Sequence, residues 1–163
     1  MGVRRKGREF ALQMLFQVDM TGQGAAEVCS LFWQERQVLD AARRFADELF
    51  RGSLEVRGRL DAALSAVSAH WRLERMPVVD RNLLRLALYE MVFRDDTPRV
   101  AVIDEAIEIS KKFGSESSGQ FINALLDRLR KGIESLRAEG VEEPGALLER
   151  LCAPESAPAE GAP

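Results

Sequence analysis

Apolar residues recur at intervals of three and four along most of the chain, the period of helices that bury one face. Ala11, Leu12, Leu15 and Val18 form one such stripe within 4–20, and Gly22 and Gly24 close it. A shorter helix is predicted over 25–34. From 38 to 68 one apolar line runs through Val38, Ala42, Phe45, Leu49, Val56, Leu60, Leu64 and Val67, with Gly52 and Gly58 inside it as points for a kink or break. Pro77 precedes a helix over 79–94 lined by Val79, Leu83, Leu86, Ala87 and Val92. Thr97-Pro98 predicts the next start, because Thr can cap free amides and proline in the first turn loses no hydrogen bond. That helix, 98–113, sets Val100, Ile103, Ala106, Ile107 and Ser110 on one face until Gly114. A last long helix, 116–137, capped by Ser115, carries Ile122, Leu125, Leu126, Leu129, Ile133 and Leu136.

Runs of period two are scarce, so the fold class is all-α. The expected organisation is two packed helical subdomains, 1–69 and 70–137, followed by an acidic, mostly disordered tail over 138–163. Within that tail only a weak amphipathic turn, Leu147, Leu148 and Leu151, precedes a stretch of Ala, Pro, Glu and Gly with no apolar payload.

Composition narrows the class. The 163 residues are 46% hydrophobic and 30% charged, as in a folded domain with its own core, and cytoplasm is the expected location. No apolar run reaches the roughly 20 residues of a membrane span. Glu9 and Gln13 interrupt the basic N-terminal segment, which is therefore not expected to act as a signal peptide. Cys29 and Cys152 imply no disulfide framework. The net charge of −3 conceals an asymmetry: six glutamates and one arginine lie beyond residue 137, leaving 22 cations against 20 anions before it.

Catalytic and cofactor signals are weak. His70 is the only histidine, no cysteine lies near it in sequence, and nothing around it resembles a nucleophile elbow. Glu105 and Glu108 are one helical turn apart, and Glu108 has the spacing of an ordinary ion pair with Lys112. Gly114-Ser-Glu-Ser-Ser-Gly119 lacks the Lys-Ser/Thr ending of a phosphate-cradling loop. Lys111 and Lys112 before the next helix start leave a hint of anion contact there. The expectation is a protein without catalysis, cofactor or metal.

The N-terminal cluster Arg4, Arg5, Lys6 and Arg8 is the strongest local signal. Cations in a first helical turn oppose the helix dipole, at a cost of about 0.3–1 kcal/mol each, which an anionic partner would offset. Phe16 falls on the flank of the apolar stripe beside Arg5 and Leu12. A ring beside cations suits single-stranded RNA, whose phosphates meet the charges and whose bases stack. The alternative is a frayed basic end with Phe16 buried. On the RNA reading, Arg5→Ala and Arg8→Ala should leave the fold intact.

The order of residues adds to this reading. The N-terminal run Arg4-Arg-Lys-Gly-Arg-Glu-Phe-Ala-Leu-Gln-Met-Leu-Phe16 and the stretch 71–127 resemble the NusB family. That stretch includes Asp80-Arg-Asn-Leu-Leu-Arg-Leu-Ala-Leu-Tyr-Glu90, Val102-Ile-Asp-Glu-Ala-Ile-Glu-Ile-Ser-Lys-Lys-Phe-Gly114 and Phe121-Ile-Asn123. The resemblance implies an all-α protein of two helical subdomains. It implies a non-catalytic factor binding boxA-type single-stranded RNA with the ribosomal protein NusE, in transcription antitermination during ribosomal RNA synthesis. The transcription elongation complex is a further implied partner, and a homodimer is open because some members self-associate. The implied RNA-binding residues are Arg4, Arg5, Lys6, Arg8, Phe16, Lys111, Lys112, Phe121 and Asn123. Phe16 stands where Tyr is common, Asp104 where Asn is usual, Gln120 where Lys is common, and Ala124 where Gly is usual. Alternatives are a helical scaffold, or a domain like the N-terminal part of ribosomal RNA cytosine methyltransferases. Those enzymes add an α/β domain with a glycine-rich loop and catalytic cysteines, for which no strand-rich segment is present here.

Overall fold

A computed structural model describes residues 2–68 and 71–152. Its helices are α1 Val3–Thr21, α2 Ala25–Gln34, α3 Asp40–Glu55, α4 Arg57–Val67, α5 Val78–Phe93, α6 Arg99–Phe113, α7 Ser118–Ala138 and α8 Pro144–Cys152. A single 3-10 turn, Leu73–Arg75, leads into α5, and no strand occurs among the described residues. His70 and the Ala-Pro-Glu-Gly stretch lie outside those residues.

The helix α5 is the axis of the molecule, packing against α1, α3, α4, α6, α7 and α8. Leu83, Leu84, Leu86, Leu88 and Met91 are buried on several sides of it, as expected of a helix surrounded by others. Its buried polar side chains then need partners, because an unpaired polar group in the interior is costly. Each finds one on a neighbouring helix. Asp80 accepts from Ser118 Oγ on α7 (2.8 Å), and Asn82 donates to Asp19 on α1 (2.9 Å). Arg85 grips Asp61 on α4 at 2.6 and 3.0 Å, and Glu90 accepts both nitrogens of Arg8 on α1 at 2.8 and 2.6 Å. These clasps add directional restraint on the rotation of α5 to its apolar packing.

The predicted helix over 38–68 is two helices, joined at Val56 (φ −111°, ψ 20°) between the two glycines. The break serves packing: α3 lies on α1 and α5, whereas α4 turns onto α8, α5 and α7. Gly52 is an approach point, since a Cβ there would strike the ring and hydroxyl of Tyr89 on α5. By its contacts α4 belongs with the later helices, so the packing changes at Val56, ahead of the expected boundary at 69/70. One hydrophobic cluster runs through both halves.

Two further expectations change. Part of the stretch assigned to a mostly disordered tail is the helix α8, whose Leu147, Leu148 and Leu151 are buried against α4 and α7. A nine-residue amphipathic stretch is too short to signal a stable helix alone, and tertiary burial supplies the stability. Thr97 does not cap α6, which starts behind Pro98 without a side-chain cap, and Val100 is exposed. Thr97 Oγ1 instead accepts from Arg4 (2.7 Å).

Candidate nucleic-acid interface

The start of α1 has no acidic residue in its first turn and no side-chain cap. Its cations are balanced from other helices. Arg4 donates to Asp96 (2.5 Å) in the α5–α6 connection, and Arg5 makes a bidentate pair with Glu105 of α6 at 2.6 and 3.1 Å. Arg8 is 5% exposed and Glu90 1%, so their bidentate pair is interior. This corrects the reading of Arg8 as a surface phosphate contact. With α1 laid along α5, position 8 points inward, and two nitrogens of its guanidinium are held by a buried carboxylate. Lys6 is exposed, 6.0 Å from the ring centroid of Phe10, and has no carboxylate partner among the described residues.

At the far end of α6, Lys111 Nζ donates to Glu108 and Lys112 Nζ to Glu9 of α1, each at 2.8 Å. Glu9 is buried and Lys112 half in solvent, so Lys112 reaches back across the groove between the helices. Ser115 does not cap α7, whose N-cap is Ser117 without a side-chain bond. Ser118 Oγ accepts from the Ser115 amide (3.0 Å) and donates to Asp80, which anchors the junction to α5. An open cleft of about 540 Å³ lies here, lined by Ser110, Lys111, Ser115, Gly119, Gln120 and Asn123. Asn123 is exposed, and Phe121 is half-buried with its ring 5.7 Å from that of Trp71.

Phe16 is 38% exposed and edges a second groove, of about 670 Å³, between α1 and the end of α2. Leu12, Met20, Leu31, Val79 and Phe113 share that groove, so Phe16 is neither fully buried nor isolated. The Phe113 contact ties this groove to the end of α6 where Lys112 stands. The expected site residues therefore divide. Lys111 and Asn123 line the cleft at the α6–α7 junction and Phe16 the groove between α1 and α2, while Arg4, Arg5 and the largely buried Arg8 line a separate hollow with Thr97 and Glu105.

The electrostatics follow from these pairs. The hydrogen bond from Arg5, over an opposing effect of burial, holds the Glu105 carboxyl below its ordinary value. The hydrogen bond and charge of Glu105 in turn raise the pKa of Arg5, and Asp96 is depressed chiefly by its hydrogen bond from Arg94. The surface is thus one of cations already engaged by carboxylates. Reading the sequence singled out those cations but did not pair them with Glu9, Glu90, Asp96 and Glu105, since partners some 80 to 100 residues away leave no local spacing.

The family model described as the NusB family matches residues 5–131. A protein from Sorangium cellulosum, named transcription antitermination protein NusB, is 45% identical over 133 residues, covering 82% of this chain and 95% of that relative. Among solved structures, T. maritima NusB superposes with a TM-score of 0.73 at 38% identity, covering 78% of this chain and 90% of that one. A chain from a crystal structure of the antitermination factors NusB and NusE in complex with double-stranded RNA gives a TM-score of 0.70 at 26% identity, covering 80% and 98%. A family match over most of the length, a near end-to-end relative and the shared helical fold agree, and the chain belongs to the NusB family of transcription antitermination proteins.

Proposed function

We propose that this chain acts in the cytoplasm by binding, with no reaction, and recognises boxA-type single-stranded RNA together with NusE in antitermination on ribosomal RNA transcripts. The observation that carries the proposal is the meeting of two basic segments. The Arg5–Glu105 and Lys112–Glu9 pairs tie the start of α1 to α6, whose end carries Lys111 into the cleft of Asn123 and, beside Lys112, Phe113 into the groove of Phe16. Exposed cations beside a half-exposed ring suit a strand whose phosphates and bases are both accessible. Membership of the family supports the reading, as does the solved complex of a similar NusB chain with NusE and RNA. Lys6 and Arg5 are the first candidates for phosphate contact, Phe16 and Phe121 for stacking, and Asn123 for a base edge. Arg8 has the role of holding α1 on α5.

The test is binding of dye-labelled boxA-like RNA and a scrambled strand, with and without NusE. Preference for the boxA-like strand, strengthened by NusE, is the expected result. Equal binding of the two strands in both conditions would reject the proposal.

A further inference from the structure

The α1 and α6 cations are mostly held by carboxylates, whereas another corner of the molecule is not. Trp71 is 61% exposed, yet its backbone is pinned: its N–H donates to Ser68 O (2.9 Å), and Ser68 Oγ donates to Trp71 O (3.1 Å). The indole meets Phe121 edge-on, at 5.7 Å between centroids and 65° between planes. Arg128 follows Phe121 by two turns of α7, on the same helical face, and donates to Val67 O (3.0 Å) at the base of the same turn. Arg72 and Arg75 follow the indole directly and are exposed, with Glu74 the one carboxylate between them. Among the described residues none of Arg72, Arg75 and Arg128 makes an ion pair, in contrast with Arg4, Arg5, Arg8, Lys111 and Lys112.

We infer that Trp71, backed by Phe121 and flanked by Arg72, Arg75 and Arg128, is a base-stacking platform that extends the path of single-stranded RNA past the α6–α7 junction. The inference rests on the RNA-binding reading above and adds residues to it. An exposed indole face with its backbone held by hydrogen bonds offers a stacking surface already ordered before binding. Three guanidiniums without a carboxylate partner, two within four residues of the indole and the third bonded to the turn that carries it, favour a polyanion over an apolar peptide, and single-stranded nucleic acid supplies phosphates and flat rings together.

The chain carries its own reporter. Trp33 is buried with Nε1 bonded to Asp47 (2.8 Å), so a change in indole emission on adding RNA belongs to Trp71. Titration of the full chain with boxA-like RNA should quench that emission, and Trp71→Phe should remove the response. Trp71→Leu should weaken RNA binding roughly 5- to 150-fold, the loss of one base stack, at unchanged salt dependence. Trp71→Phe should retain most of the affinity, and both variants should melt as the parent does. Replacing Arg72 and Arg75 by Gln should make log affinity against log salt shallower by about 0.7 for each phosphate lost. If labelled RNA binds while Trp71 emission stays constant and Trp71→Leu binds as the parent does, the platform is refuted and the RNA-binding reading stands. If Trp71→Leu loses only the strengthening by NusE, the corner is a protein contact and the platform is equally refuted. If the parent binds no RNA at all, both fall.

Discussion

Removing the guanidinium of Arg8 would leave Glu90 charged in the interior with nothing facing it. Arg8→Ala should cost about 3–5 kcal/mol. Arg5→Ala breaks a solvent-screened pair and should cost far less. Urea denaturation separates the two, and equal losses would contradict the burial difference. The sequence alone leads to the same expectation for both substitutions; the burial difference predicts that Arg5→Ala spares the fold and Arg8→Ala does not. Asp19 supplies a second residue-scale prediction. Burial raises its pKa, but hydrogen bonds from Arg81 and Asn82 and the charges of Arg81 and Arg85 outweigh it, taking the value from 3.8 to about 2. Because the folded value is the lower one, this stabilisation is full above the ordinary 3.8 and is lost as the pH falls towards 2. Asp19→Asn should flatten that part of the stability–pH curve. An unchanged acid limb would show that Asp19 is not its source.

Between elements, glycines and leucines carry information that helical period does not distinguish. Alanine in place of glycine usually favours a helix by about 1 kcal/mol. At Gly52 the new methyl group must displace Tyr89, so Gly52→Ala should destabilise by about 1–3 kcal/mol. Tyr89→Ala in the Gly52→Ala background should cancel the steric part of that loss. Stabilisation by Gly52→Ala alone would mean that α3 and α5 do not approach so closely. For α8, Leu148 is fully buried, and Leu148→Ala should cost about 2–5 kcal/mol in chemical denaturation. A cost near zero would return 144–152 to the tail that the sequence pattern implies.

For the whole molecule, a net charge of −3 says little about RNA, because the cations that matter sit beside their own counter-ions. Glu105 holds the Arg5 guanidinium through two hydrogen bonds, which a phosphate would have to displace on the proposed function. On the proposed function, Glu105→Gln should raise RNA affinity severalfold at low salt, with less gain as screening increases. Arg5→Ala should lower affinity for boxA-like and scrambled strands alike, since a phosphate contact does not read sequence. Fluorescence anisotropy across a salt series reads both. If Glu105→Gln weakens binding, the carboxylate positions Arg5 for RNA and does not compete with it.

Most helices and their apolar stripes were legible in the sequence, because burial of one face imposes its own period: Ala11, Leu12, Leu15 and Val18 face inward as spaced, as do Ile122 through Leu136 on α7. The basic cluster, Phe16, Phe121 and Asn123 were likewise visible as residue types. Burial of Arg8, the grip of Glu9 on Lys112 and the packing of α8 were not, since each depends on side chains that only the folded chain brings together. Period reports which face of a helix is apolar. Which neighbour covers that face, and which charge meets which, is decided where helices distant in the chain cross.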